Sequence, residues 1–110
     1  MAKAQIDLMA VGGGVTFDDI GNVLTTNGFT AGTKSTTSFT AIVGKTYMFI
    51  ETRGTSYANP GIDSGGVELG GTVFTDSANN QNVYIGIVKA TSTTIKGLGT
   101  NNYNWYCQLD

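Results

Sequence analysis

The stretch STTSFTAIVGKTYMFIETRG, residues 35–54, decides the fold class of this chain. It is rich in Thr, β-branched and aromatic residues, and Gly44-Lys45 divides it into two runs. A glycine-first pair of this kind is suited to a two-residue II′ hairpin. Residues 46–51 then alternate between two faces that both carry apolar side chains, which is typical of a central strand. The stretch therefore predicts two strands joined by a hairpin, with the second strand inside a sheet.

The rest of the chain extends this β pattern. Sixteen glycines and a single proline, together with many threonines, predict short strands broken by turns. Further strands are predicted in AKAQIDLMAV (2–11), VELGGTVFTDS (67–77), NVYIGIVKATS (82–92), TTIKGLG (93–99) and YNWYCQLD (103–110). The sequence thus predicts a single domain over residues 1–110, all-β, with seven or eight short antiparallel strands in a sandwich or jelly roll.

At most one short helix is expected, near residues 17–25. Asp18 and Asp19 would lie at the positive end of its dipole, and Leu24 would lie on its apolar face. Asn27-Gly28 is an equally good hairpin turn, so the pattern leaves helix and hairpin open.

The last strand holds the only Trp and the only Cys of the chain. Trp105 and Cys107 alternate with Tyr106, which predicts a strand with one apolar side and one mixed side. The favoured interpretation is a core strand with Cys107 as an inert apolar residue. The alternative is an aromatic platform for a ligand, with Tyr106 as its exposed residue.

Composition limits the function. Hydrophobic residues make up 40% of the chain, charged residues 13%, and the net charge is -2. Scattered basic residues argue against nucleic-acid binding, and no stretch is long and apolar enough for a membrane span. No secretory signal is recognised at the start of the chain, so the expectation is a soluble protein. A neutral, hydrogen-bonding surface suits permanent neighbours, so we expect the chain to form homo-oligomers.

Catalysis has little support in the residue types. The chain has no His, which excludes His-based nucleophile pairs and His-ligated metal sites. Asp63 and Glu68 are the acids that a small hydrolase or a calcium site would use, although the ordinary interpretation of such residues is turn formation and surface charge. The sequence therefore predicts no enzyme, no catalytic residues, no metal site and no cofactor.

The connection GTSYANPGIDSGG, residues 54–66, is long for a compact domain, and such loops often carry binding contacts. Tyr57 and Asn59 in this loop, with Tyr103 and Tyr106 near the last strand, are the candidate surface contacts for a ligand such as a sugar.

TSFTAIVGKTYMFIE (37–51) and IVKATSTTIKGLG (87–99) resemble segments of small bacteriophage virion proteins of the tail, fibre-tip or capsid-decoration type. The resemblance implies a β-sandwich without enzymatic activity, located in the virion and assembled with itself and other virion proteins. It also implies that some such proteins bind host glycans, so a glycan-binding module is the alternative function.

Assembly would use poorly protected sheet edges. Edge strands are usually guarded by Lys, Pro or charge. TTIKGLG and NVYIGIVKA carry only Lys96 and Lys89 as guards, so these two segments are predicted as the edges that pair with neighbours.

Overall fold

The computed structural model describes residues 17–110, which form one helix and eight strands. In chain order these are α1 (Phe17–Thr26), β1 (Thr30–Ala31), β2 (Ser38–Thr40), β3 (Thr46–Gly54), β4 (Ile62–Ser64), β5 (Gly66–Asp76), β6 (Gln81–Ala90), β7 (Thr94–Gly97) and β8 (Asn104–Gln108). The strand predicted at residues 2–11 lies outside the described residues.

The strands form two antiparallel sheets. The larger sheet has the order β1-β8-β3-β6-β5, and the smaller has the order β2-β7-β4. All of their strand pairs are antiparallel. The predicted all-β antiparallel sandwich is confirmed, and so is the central position of β3, which lies between β8 and β6.

Side chains from both sheets meet in the layer between them. Phe39 of β2 stacks on Tyr106 of β8 with ring centroids 4.3 Å apart, and its centroid lies 5.5 Å from that of Phe49. Val88 of β6 and Ile95 of β7 are fully enclosed in the same layer. Each fully buried side chain of this size contributes about 1.5–3 kcal/mol, so this layer is a main source of stability.

A second apolar layer covers the opposite face of the larger sheet. Leu24 of α1 and Phe29 pack there with Ile50, Val83 and Trp105. Because apolar layers lie on both sides of the sheet, β3 and β8 carry buried residues on both faces. The interpretation of Trp105 as a core residue is confirmed.

The helix ends in a left-handed glycine. Gly28 has a φ of 88°, the Phe29 N–H donates to the Leu24 carbonyl at 2.9 Å, and the Gly28 N–H donates to the Thr25 carbonyl at 3.2 Å. This pair of bonds is a Schellman motif, which satisfies carbonyls left over at a helix end. Asn27-Gly28 is therefore the end of a helix and not a hairpin turn.

The hairpin predicted at Gly44-Lys45 is wrong. Strand β2 pairs with β7, whereas β3 pairs with β6 and β8, so the two strands lie in different sheets. Gly44 has the positive φ that a turn needs, 89°, but its N–H donates to the carbonyl of Ala90 in β6. Phe39 and Phe49 face each other across the sandwich, and this contact requires their strands to lie on opposite sides of the core.

The predicted edges are also wrong. Strand β6 lies between β3 and β5, and β7 lies between β2 and β4. Within residues 17–110 the edges are β1, β2, β4 and β5, and β5 is by far the longest of these at 11 residues. The connection predicted at residues 54–66 contains β4, which extends the smaller sheet by pairing with β7.

Candidate functional site

Glu51 is an acidic side chain enclosed between the two sheets. It lies on the same face of β3 as Tyr47 and Phe49, and its exposed fraction is 0%. Gly97 on β7 leaves room for it, since a Cβ atom there would come 2.3 Å from Glu51 Oε1. The alternation of β3 therefore directs a carboxyl group into an apolar layer, where only hydrogen bonds can compensate for lost hydration.

Two loops supply those hydrogen bonds. The backbone N–H of Gly61 donates to Glu51 Oε1 at 3.3 Å, and Asn102 Nδ2 donates to Glu51 Oε2 at 3.0 Å. Asn102 Nδ2 also donates to the Leu98 carbonyl at 3.0 Å, and the Asn102 backbone N–H donates to Thr37 Oγ1 at 3.1 Å. The buried acid therefore joins β3 to the loop that precedes β4 and to the loop that precedes β8.

Burial raises the pKa of Glu51 from its ordinary value of 4.5 to about 7. Loss of hydration outweighs the opposing effects of the Asn102 and backbone hydrogen bonds and of the nearby Arg53 charge. Glu51 therefore exchanges its proton close to neutral pH. Perturbed groups of this kind occur at functional sites and in structural networks alike.

An open pocket of about 410 Å³ lies beside this network. Arg53 at the end of β3 and Tyr57 in the following loop line one part of it, and residues 99–102 line the rest. Asn102 belongs both to the pocket wall and to the hydrogen bonds around Glu51. The pocket is therefore backed by a fixed polar network.

Arg53 is the charged group of this pocket. Its guanidinium carbon lies 5.5 Å from the ring centroid of Tyr57, and Nη1 donates to the Ala58 carbonyl at 3.4 Å. A Cβ atom at Gly99, which has a φ of 84°, would come 3.0 Å from Arg53 Nε. Within the part of the chain that the structure describes, no acid forms an ion pair with this guanidinium.

Two of the four predicted ligand contacts lie in the loop after β3. Tyr57 is 66% exposed and lines the pocket. Asn59 is exposed, and its Oδ1 accepts a hydrogen bond from Asn82 Nδ2 at 3.3 Å. The structure therefore places Tyr57 at the pocket and Asn59 next to the start of β6.

The other two lie at β8 and do not line the pocket. Tyr103 is exposed, its ring stacks on Trp105 at 6.3 Å, and Lys34 Nζ lies 4.3 Å from its ring centroid. The expectation that Tyr106 is the exposed aromatic of this strand is wrong. Tyr106 is half-buried and stacks on Phe39, because the mixed side of β8 faces the smaller sheet.

The pocket residues missed from the sequence are Arg53 and residues 99–102, together with Glu51 behind them. A signal existed for Glu51 and Arg53, because they lie two positions apart near the end of an apolar strand and therefore share one face. Residues 99–102 have the composition of an ordinary turn, and nothing in it shows that they meet β3.

A second candidate site is the edge surface, defined here as the exposed apolar residues Val67, Leu69 and Val73 of β5. Leu69 is 59% exposed, and β5 has β6 as its only strand neighbour among residues 17–110. The strand carries no Lys, Arg or Pro, and its charges are confined to Glu68 and Asp76. Among residues 17–110, no second strand pairs with this stretch of backbone and apolar side chains.

The side chain of Tyr84 on β6 extends over the sheet towards β5. Its hydroxyl donates to the Glu68 carboxylate, and Cβ atoms at Gly86 and Gly71 would come 1.9 and 2.8 Å from its hydroxyl oxygen. Burial, with the Glu68 hydrogen bond and charge, holds the pKa of Tyr84 well above its usual value. Glu68, one of the acids considered for calcium or hydrolysis, is thus bound by Tyr84, and Asp63 is exposed.

From residue 17 onward, no cluster of three or more His, Cys, Asp or Glu residues is arranged to hold a metal ion. In the same part of the chain, the structure contains no helix with the length and apolar character needed to cross a bilayer.

Comparisons with known proteins give no relative. No family model matches the chain, and no curated protein or solved structure matches it either.

Proposed function

We propose that this protein is a non-enzymatic assembly module that forms homo-oligomers through the edge surface of β5. The observation that carries the proposal is the edge itself, 11 residues long and exposed along most of its length. A virion is the setting that the sequence resemblance favours, with the module acting in a tail, fibre or capsid-decoration role.

The backbone of β5 supports the proposal first. A strand at the edge of a sheet has one row of N–H and C=O groups without a strand partner. Over 11 residues this row extends for roughly 35 Å, given a rise of about 3.3 Å per residue. A second strand laid against it would gain a long ladder of hydrogen bonds.

The side chains of β5 support it next. Val67, Leu69 and Val73 expose apolar surface that a neighbouring copy would cover. Edge strands are commonly protected by Lys or Pro, and β5 has neither. The register shift between Glu68 and Gly70 interrupts the edge, so the regular part that a second strand would pair with runs from Gly70 to Asp76.

A second copy of this chain is the partner that we propose. An antiparallel β5–β5 pair obeys a two-fold axis, so each copy presents the same surface to the other. Pairing would join two five-stranded sheets into one continuous sheet and would shield Leu69 and Val73.

The test is the mass of the full chain in solution, measured by sedimentation and native mass spectrometry. Leu69→Lys and Val73→Lys place a guard charge on the edge, so we expect both variants to shift the protein from oligomer to monomer. Ile42→Lys is the matched control, because Ile42 is 57% exposed but lies in the corner between β2 and β3. Circular dichroism checks that all three variants keep their strands.

A wild-type chain that stays monomeric at high concentration overturns the proposal. So does an oligomer that Ile42→Lys dissociates as readily as Leu69→Lys, since the interface would then lie elsewhere.

Carbohydrate binding is the second candidate function, and the pocket favours it. Tyr57 offers an exposed aromatic ring beside polar side chains, which suits the apolar face and the hydroxyl groups of a sugar. A glycan array with the full chain tests it. Binding that Tyr57→Ala weakens and Tyr103→Ala preserves supports the pocket, and silence across neutral and acidic glycans rejects the candidate.

A further inference from the structure

Arg53 has a guanidinium group with few hydrogen-bond partners among residues 17–110. Within residues 17–110, its hydrogen bond from Nη1 to the Ala58 carbonyl is long at 3.4 Å, and no ion pair engages it. A guanidinium has five N–H donors in a fixed planar fork, so most of its donors remain available to a ligand. The fork matches the two oxygens of a carboxylate.

The guanidinium is held in place by its neighbours. The Tyr57 ring lies on one side of it, and the Tyr57 ring itself lies close to the backbone of Gly54, where a Cβ would come 3.2 Å from it. Gly99 approaches from the loop before β8 so closely that a side chain there would contact the guanidinium. A donor positioned in this way loses little further entropy when it binds a ligand.

Neutral polar residues complete the pocket. Thr100 and Asn101 line the wall beside Arg53 and offer a hydroxyl and an amide group, whereas Asn102 Nδ2 already donates to Glu51 and to the Leu98 carbonyl. A volume of about 410 Å³ lies at the small end of the range for ligand pockets, which accommodates one or two sugar rings.

We propose that this pocket binds a carboxylate-bearing saccharide, with Arg53 taking the carboxylate and Tyr57 contacting the sugar ring. This inference rests on the carbohydrate-binding candidate and names its ligand class as a hexuronate. A single Arg among neutral groups suits one carboxylate, whereas the adjacent exposed Tyr57 ring has no role in binding a small inorganic anion.

The test is a titration of the ¹⁵N-labelled full chain, in which the NMR signals of its backbone amides are monitored. The probes are trigalacturonate, neutral galactotriose and inorganic phosphate. We expect trigalacturonate to shift the amides of residues 99–102 and to bind at least about tenfold more tightly than galactotriose, because only the acid engages the fork.

Three variants and one control locate the binding. Arg53→Gln removes the charge, Arg53→Lys keeps the charge without the fork, and Tyr57→Ala removes an exposed ring with little effect on folding. We expect losses of about tenfold or more for Arg53→Gln and smaller losses for the other two. Lys89→Gln, at the far end of the β3–β6 pair, is the charge-matched control and keeps wild-type affinity.

The outcomes separate the two levels of the idea. Equal binding of trigalacturonate and galactotriose overturns the hexuronate while leaving carbohydrate binding intact. If neither trigalacturonate nor galactotriose binds, both the hexuronate and the pocket as a carbohydrate site are rejected. Phosphate that binds as tightly as trigalacturonate, or equal losses in Arg53→Gln and Lys89→Gln, shows a simple charge effect and overturns the inference.

Discussion

Strands β3 and β5 lie on either side of β6, and yet they differ strongly in how much of each strand is buried. Over its nine residues β3 is buried on both faces, whereas β5 exposes most of its eleven. Both contain bulky apolar residues, so apolar content alone does not set burial. Position in the sheet does, because β3 has strands on both sides and an apolar layer on each face.

The largest expected difference between the two strands comes from truncating one apolar residue in each. Phe49→Ala removes a fully enclosed ring from β3, and we expect the free energy of unfolding to fall by about 3–5 kcal/mol. Leu69→Ala removes a side chain of β5 that is exposed in the single chain, and at concentrations below association we expect a change within about 0.5 kcal/mol. Urea unfolding at one fixed protein concentration measures both, and comparable losses would contradict the burial difference.

The next largest effect concerns pH. Because the folded state raises the pKa of Glu51 from 4.5 to about 7, it retains a proton that the unfolded chain has already lost between these values. The contribution of Glu51 to stability is therefore greatest below about pH 4.5 and falls as pH rises to about 7, by up to roughly 3.5 kcal/mol at about 1.4 kcal/mol per pKa unit.

Unfolding measured at pH 5 and pH 8 checks this slope. In Glu51→Gln we expect the contribution of this group to disappear, so that the difference between the two pH values shrinks. The matched change Glu68→Gln on β5 alters an exposed acid, and we expect it to retain the wild-type difference. A Glu51→Gln protein with an unchanged slope would rule out Glu51 as its source.

Two glycines give a third comparison. A methyl group at Gly86 of β6 would collide with Tyr84, whose hydroxyl oxygen lies 1.9 Å from the added Cβ, so Gly86→Ala should cost about 1–3 kcal/mol. At Gly70 of β5 the same methyl would meet nothing within 4 Å. Gly70→Ala should therefore be neutral or slightly stabilising, by up to about 1 kcal/mol. Thermal unfolding of the pair decides, and equal losses would show that β5 is as crowded as β6.

The smallest expected effect is at the contact between Tyr84 and Glu68, which joins β6 to β5. Tyr84→Phe removes the hydroxyl that donates to the carboxylate, and we expect a loss of about 0.5–1.5 kcal/mol. A double-mutant cycle with Glu68→Gln isolates the coupling between the two groups. A coupling energy of zero would mean that the two strands do not depend on this hydrogen bond.

The strands show how much of the fold could be predicted from the sequence. Alternation correctly located β3, β5, β6 and β8, because a pleated strand repeats every two residues wherever it lies. Alternation does not reveal neighbours, so β6 was placed at an edge and β2 was paired with β3. The decisive contact, Phe39 against Phe49 across the sandwich, is a tertiary one.

The pocket was predicted only in part for a similar reason. Tyr57 could be found, since an aromatic residue in a long polar loop is conspicuous. Arg53 and Asn102 could not be associated, because they come from segments far apart in the chain that meet only when β8 pairs with β3. The burial of Glu51 depends on the absent side chain of Gly97, which no pattern within β3 reveals.

The place of β8 between β1 and β3 has a kinetic consequence. The Thr52 N–H donates to the Tyr103 carbonyl at 2.9 Å, across 51 positions of sequence, whereas β5 and β6 are joined by a short turn. Closing so long a loop costs more conformational entropy than closing the short turn, so we expect the β5–β6 hairpin to form before β8 pairs with β3. Until β8 pairs with β3, one side of β3 has no strand neighbour, and residues 99–102 do not yet form the wall of the pocket beside Arg53.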